Sequence, residues 1–270
     1  MNKIAIVCVN YESYDYTIKM CKSLKWQKGI HDLFELEVFV VDNSKNVSNT
    51  LIEYCRNEPM IRYLRSEKNN GYFAGLNEGL SSIDVTKYEY VCIGNNDLEF
   101  KDDFFLHLTG LSVKGEVYSL CPDIVTSDGV HQNPHVKTKI SLAGKFKLDL
   151  YYSNWYVAVF LLKIKSLFDI FFKIKYQKAM SESCEIHMGI GALYILTKSF
   201  FLENKELHFP FFLYGEEAFF SNQIHTTGGL LIYEPSLVVN HAESATLSKV
   251  PSKIRYLYAK ESYSTYRGML

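Results

Sequence analysis

The chain has 270 residues, a net charge of −1 and an apolar fraction of 47%. That length allows one large domain or two small ones, and the apolar content excludes a disordered chain. The near-zero charge leaves no global field to draw the chain onto nucleic acid or an anionic membrane, so no nucleic-acid partner is expected.

The first half alternates strand and helix. Residues 4–9 form a continuous apolar run, the pattern of a strand buried on both faces. Residues 14–25 carry helical spacing at Ile18, Cys21 and Leu24, with Ser13 or Asp15 as the cap. Residues 36–41 read as the second strand, ending in Asp42-Asn43-Ser44, and 47–56 as a helix. Residues 61–64 read as a short strand, 73–82 as a helix behind Asn69-Asn70-Gly71, and 88–93 as a strand ending in Gly94-Asn95-Asn96-Asp97. Strands alternating with helices of this length predict βαβ units and a mainly parallel sheet. Right-handed crossovers would then place Asp42 and Asp97 on one edge of it.

The second half is less regular. Residues 117–122 read as a strand and 127–144 as polar turn-rich chain. Residues 151–176 form an aromatic and aliphatic stretch broken by Lys163, Lys165, Asp169, Lys173 and Lys175. Those charges exclude a transmembrane span and leave two readings: helices lying in a membrane interface, or a buried packing or dimer surface. Residues 218–225 look helical; 230–233 and 237–239 look extended and lead to His241. The 20 Tyr and 18 Phe fit packing, or a surface that stacks on sugars or bases. The six cysteines show no metal spacing and read as small buried hydrophobes, which points to a reduced cytoplasm. The N-terminus has no signal-peptide layout.

Several residues carry chemistry. Asp97, at a strand end with Asn95 and Asn96, offers one carboxylate among amides, a set suited to a hard divalent cation shared with substrate phosphates. Asp42 could accept hydrogen bonds from a base or ribose, or close its own turn. Residues 69–77 are a glycine-bearing loop entering a helix, where amides favour phosphate; they match neither a Walker loop nor a dinucleotide fingerprint. Glu216 and Glu217 could complement a helix dipole or supply a general base. His241 gains weight only if it faces Asp97 in the fold.

The order of these segments resembles the family 2 glycosyltransferases over nearly all of residues 3–245, closest to the rhamnosyltransferase-like branch that builds bacterial surface polysaccharides. The carrying segments are Val9-Asn10-Tyr11, Val41-Asp42-Asn43-Ser44, the loop from Asn69 to Asn77, Asn95-Asn96-Asp97, Phe212-Leu213-Tyr214-Gly215-Glu216-Glu217 and Val239-Asn240-His241. The resemblance implies a single GT-A domain over 1–245, with a nucleotide-sugar-binding half (1–125) and an acceptor half (126–245), then a helical tail over 246–270. It also implies a nucleotide-diphosphate sugar donor, Mg²⁺ or Mn²⁺, and a saccharide or lipid-linked acceptor. The enzyme would then sit in the cytoplasm, with 151–176 a candidate contact with the inner face of the membrane. By position Asp42 would bind the nucleobase and Asn10 line the nucleotide pocket. Asn70, Gly71 and Asn77 would lie near the ribose and diphosphate, and Asn96 beside the metal ligands Asp97 and His241. Glu217, with Glu216 beside it, would stand where the base does.

The family often has Glu-Asp-X-Asp where this chain has Glu216-Glu217-Ala218-Phe219, which leaves the base open between the two glutamates. The Gly-Gly-Phe-Asp-Glu segment common before it is replaced by residues 204–211. Two other functions are compatible with the composition: a non-catalytic nucleotide-sugar or carbohydrate-binding protein, and a nucleotidyltransferase. The latter would want a basic, glycine-rich loop after the first strand, and Asn10-Tyr11-Glu12-Ser13 does not supply one.

Overall fold

The computed structural model describes residues 2–172, 180–242 and 252–270, the side chains of 165–172 excepted. The first half runs β1 (Asn2–Asn10), α1 (Tyr14–Lys25), β2 (Phe34–Asp42), α2 (Asn49–Asn57), β3 (Ile61–Arg65), α3 (Tyr72–Ser81) and β4 (Tyr90–Asn95). The second half adds β5 (Leu98–Phe100), α4 (Phe104–Gly110), β6 (Val117–Thr126), α5 (Leu142–Ser153), α6 (Trp155–Phe172), β7 (Cys184–Ile186) and β8 (Leu193–Thr197). It closes with α7 (Lys198–Glu203), α8 (Glu216–Thr226), β9 (Leu230–His241) and α9 (Ser252–Tyr266).

One nine-stranded sheet holds these elements in the order β3-β2-β1-β4-β8-β6-β9-β5, with β7 pairing on β9. The four N-terminal strands are parallel, and Asn10 lies opposite Asp42 in the ladder. In the second half β8 runs antiparallel to both β4 and β6. The sheet has the α/β, GT-A, Rossmann-like architecture expected, and its antiparallel strands all lie beyond β4.

Burial explains why the first-half strands are so apolar. Ile4, Ile6 and Cys8 of β1 face one core layer, with α1, α2 and α4 over it. Ala5, Val7 and Val9 face the other, with α3, α7 and α8 over it. Each of the buried Ile and Val side chains contributes about 1.5–3 kcal/mol relative to exposure. Five of the six cysteines are buried in these layers, and all six are free thiols.

The expected strands at 230–233 and 237–239 are one strand, β9, whose register against β6 jumps between Glu234 and Val238, next to Pro235. A proline cannot donate to a ladder, so a bulge there lets the strand continue. The aromatic stretch is broken after Ser153, where α5 ends and α6 begins; residues 173–176 of that expectation lie outside the described residues. The chain over 127–144, expected as irregular, already contains the start of α5, capped by Ser141. No described helix is long and apolar enough to cross a membrane.

Helix α3 lies directly on β1 because it presents glycines to the sheet. A Cβ at Gly79 would fall 2.4 Å from Val7 Cγ1 and 3.0 Å from Val41 Cγ2. Gly79→Val should therefore lift α3 and lower stability by about 1–3 kcal/mol, read as a shift in the urea midpoint. Gly110→Ala, with open space around it, should cause no loss.

Candidate active site

Three parallel strands end together. Asn10 of β1 and Asp42 of β2 are fully buried. Asn10 Nδ2 donates to Asp42 Oδ1 at 2.8 Å and to Ser44 Oγ at 3.0 Å. Its Oδ1 accepts from Thr17 Oγ1 at 2.9 Å and from Asn96 Nδ2 at 3.2 Å. Asn96 Nδ2 also donates to Ser13 Oγ and Thr17 Oγ1, each at 2.7 Å. Asp42 accepts from Tyr63 Oη at 2.6 Å and from the Ser44 amide at 3.1 Å, with Arg65 Nη1 3.6 Å from Oδ2. Through these hydrogen bonds Asn10 and Asn96 tie the ends of β1 and β2 to the start of α1. Asp42, expected at the nucleobase, is buried at the same strand edge.

Asp97 is different. It is 4% exposed, and neither carboxylate oxygen accepts a hydrogen bond. The reversal from β4 into β5 sets Leu98 opposite His241 in the antiparallel β5–β9 ladder. That register brings His241 Nε2 to 3.2 Å from Asp97 Oδ1, close by distance yet not aligned as a hydrogen bond. Gln132, which follows β6, places Oε1 2.7 Å from His241 Nδ1. With Nδ1–H donating to Gln132, Nε2 keeps its lone pair, and Asn95 Nδ2 lies 3.2 Å from it. A bare buried carboxylate facing an imidazole lone pair is costly by itself.

This donor set fits a hard divalent cation. One carboxylate and one imidazole could supply two ligands, and a diphosphate and water the rest. Among the described residues there is no cluster of three or more His, Cys, Asp or Glu that could hold a metal.

The acidic pair approaches from the second half. Gly71 has φ 105°, and a Cβ there would fall 2.3 Å from the Phe212 carbonyl oxygen. Only glycine allows the loop before α3 to meet the segment leading to the glutamates. Asn70 beside it is exposed. The amide of Asn77, expected near the ribose or diphosphate, exchanges two 2.8 Å hydrogen bonds with the Leu207 backbone. Tyr72 Oη donates to the Gly191 carbonyl at 3.0 Å. Burial first, and then the charges of Glu216, Asp97 and Glu217, push the Tyr72 phenol well above its ordinary range.

The two glutamates diverge at the start of α8. Glu216 is buried and turns back to accept from the Tyr214 amide at 3.0 Å. Burial, reinforced by Glu217, pushes its carboxyl from 4.5 up to about 8. Glu217 is half-buried and accepts from the Gly191 amide at 3.3 Å. Its charge is felt by the phenols of Tyr72, Tyr152, Tyr194 and Tyr266. Phe219 fills an aromatic cluster, with ring centroids 5.3 Å from Phe209 and 5.7 Å from Phe211. An acid at that position would be buried among rings.

Neither Gln132 nor Gly191 was read as a site residue in the sequence. Gln132 sits in a polar stretch with no periodicity, and Gly191 in an apolar run; only the partners across the fold single them out.

No curated protein sequence matches the chain significantly. Among solved structures, GalNAc-T7 with UDP, GalNAc and Mn²⁺ superposes with a TM-score of 0.62 at 14% identity, covering 99% of this chain and 49% of that one. Staphylococcus aureus TarS 1–349 with UDP-GlcNAc gives 0.58 at 15% identity, covering 93% and 62%. The mannosyltransferase PcManGT from Pyrobaculum calidifontis, with GDP-Man and Mn²⁺, gives 0.54 at 14% identity, covering 96% and 69%. The chain spans 37% to 62% of the length of the TarS chains it matches. At these identities the likeness is one of fold. Residues 4–183, well over half the chain, match the model for glycosyl transferase family 2, and the protein belongs to that family.

Proposed function

We propose that this protein is an inverting, metal-dependent glycosyltransferase. It moves a sugar from a nucleotide-diphosphate donor to a hydroxyl of a saccharide or lipid-linked acceptor, in bacterial surface polysaccharide synthesis. The observation that carries this reading is the buried Asp97 carboxylate, bare of hydrogen bonds and 3.2 Å from His241 Nε2. Family membership and structural neighbours holding UDP, GDP-Man and Mn²⁺ support it. The rhamnosyltransferase-like branch rests on the motif order alone.

Asp97 and His241 would hold Mg²⁺ or Mn²⁺, and Gln132 would hold the imidazole in the tautomer that presents Nε2. When bound, the cation supplies a Lewis acid that stabilises the leaving diphosphate. Asn10 and Asp42 would line the nucleotide pocket, Asn70, Gly71 and Asn77 would lie near the ribose and diphosphate with Asn70 exposed, and Asn96 would stand beside the metal ligands. Glu217 is the base. Its half-open carboxylate takes the proton from the acceptor hydroxyl as that oxygen attacks the anomeric carbon from the face opposite the diphosphate. Glu216, buried and neutral near pH 7, supports the turn instead.

Release of nucleoside diphosphate from nucleotide sugars with Mn²⁺ tests the assignment. Asp97→Ala should lower turnover by about 10²–10³-fold while folding survives. Glu217→Gln should lower kcat by about 10²–10⁴-fold with donor binding retained in a thermal-shift assay. Saturable donor binding by wild-type protein without turnover, acceptor present, would instead favour a binding protein.

A Gln132→Leu variant should weaken Mn²⁺ binding by about 10–100-fold, followed by electron paramagnetic resonance. In the metal-free protein, ¹⁵N shifts of His241 should report loss of the Nδ1–H tautomer.

Glu216 makes stability depend on pH. Its folded-state pKa lies above the unfolded value, so the folded state holds the extra proton between them, and stability falls as pH rises from 4.5 through about 8. Glu216→Gln should flatten that slope and raise stability above pH 8 by on the order of a few kcal/mol, measured by denaturation at several pH values.

A further inference from the structure

Helices α5, α6 and α9 form one layer. The Tyr256 ring of α9 lies 5.8 Å from Tyr151 and 5.3 Å from Trp155, and Arg267 pairs with Asp149 of α5 at 2.5 Å. Lys260 Nζ donates to the Ser153 carbonyl at 2.8 Å. This layer carries most of the large hydrophobic side chains exposed among the described residues. Leu142, Phe146 and Leu150 follow one another at helical spacing along α5, and α5 buries none of its residues. Tyr156 and Phe160 do the same on α6, and Leu257 is half-exposed on α9. Phe146 is 67% exposed and Tyr156 77%, values far from those of packing residues.

The charge of the layer also departs from that of the chain. Among its described side chains stand Lys145, Lys147, Lys163, Lys253, Arg255 and Lys260, against only Asp149 and Glu261, in a protein whose net charge is −1. Asp149 is already paired with Arg267. Exposed aromatic and aliphatic side chains on helices that also carry these lysines are the composition of an interfacial surface, where apolar groups enter the acyl boundary and ammonium groups meet anionic headgroups. A second copy of this chain fits less well, because a two-fold contact would set this basic face against itself.

The layer also borders the proposed site. The Tyr266 ring of α9 lies 6.4 Å from Phe219 of α8, and Tyr258 lies 5.6 Å from Phe212 in the segment leading to the glutamates.

We propose that α5, α6 and α9 form a docking face for an anionic lipid bilayer, and that docking presents the Glu217 site to an acceptor held in that bilayer. The second clause rests on the transferase reading; the first does not.

Flotation of the full chain with phosphatidylcholine vesicles, with and without phosphatidylglycerol, tests it in the absence of donor and metal. The expected result is binding that requires phosphatidylglycerol. Phe146→Ser with Leu150→Ser, and separately Lys147→Glu with Lys163→Glu, should each lower partitioning by about tenfold or more. Circular dichroism and donor hydrolysis in solution should stay unchanged. Failure of the intact chain to bind, or full binding by either double variant, overturns the proposal. So does a dimer in sedimentation equilibrium that the Phe146→Ser, Leu150→Ser variant abolishes while the intact chain ignores vesicles. Vesicle binding by a chain that also binds donor saturably yet shows no turnover with acceptor present would sink the transferase reading and leave the docking face standing.

Discussion

The approach of Asp97 to His241 is the contact on which the rest of the site depends. It joins mid-chain to the far end of the sheet, and nothing local creates it. The chain leaves β4, reverses within two residues, and pairs β5 with the end of β9. That ladder sets the imidazole beside the carboxylate at 3.2 Å and holds it there although neither carboxylate oxygen gains a hydrogen bond. A rigid sheet can hold such an unfavourable buried arrangement in place, and sites that bind charged ligands are where it persists. The amides around it do the opposite work. Asn10 and Asn96 satisfy one another and the start of α1, so the strand ends cannot splay.

The second constraint is the seam between the halves of the chain. Gly71 lies against Phe212, Tyr72 reaches Gly191, and Asn77 clamps Leu207. Each contact runs from the α3 region to a loop more than a hundred residues away. Together they set where α8 begins. At that start, positive φ at Tyr214 and Gly215 turns the chain so that Glu216 folds back onto its own turn while Glu217 reaches the Gly191 amide. Two adjacent identical side chains thereby acquire opposite characters, one kept neutral by burial and one left half-open.

How much of this was legible in the sequence varies with the range of the interactions. The βα units of the first half were readable because a strand covered on both faces must be apolar along its length, and residues 4–9 and 36–41 are. The second half was harder, since β8, β7 and β5 are short strands whose pairing partners lie far off in sequence. The asparagines show the limit most clearly. An amide carries the same donor and acceptor whether it holds a ribose or a backbone carbonyl, so nothing in the sequence announced that Asn77 holds the Leu207 backbone. The same holds in reverse for Gln132, which has no distinguishing pattern and gains its role only from the imidazole 2.7 Å away.

By itself, the sequence determined the parallel first half, the edge where β1, β2 and β4 end, and the family, because these follow from local periodicity and from motif order along the chain. The tertiary structure alone decided which polar residues frame the site and which remain bare, and which of two neighbouring glutamates faces outward. It also alone showed that the apolar face of α5 is uncovered. Those outcomes depend on what stands across the fold from each side chain, and burial and hydrogen-bond partnership are properties of that juxtaposition rather than of any one segment.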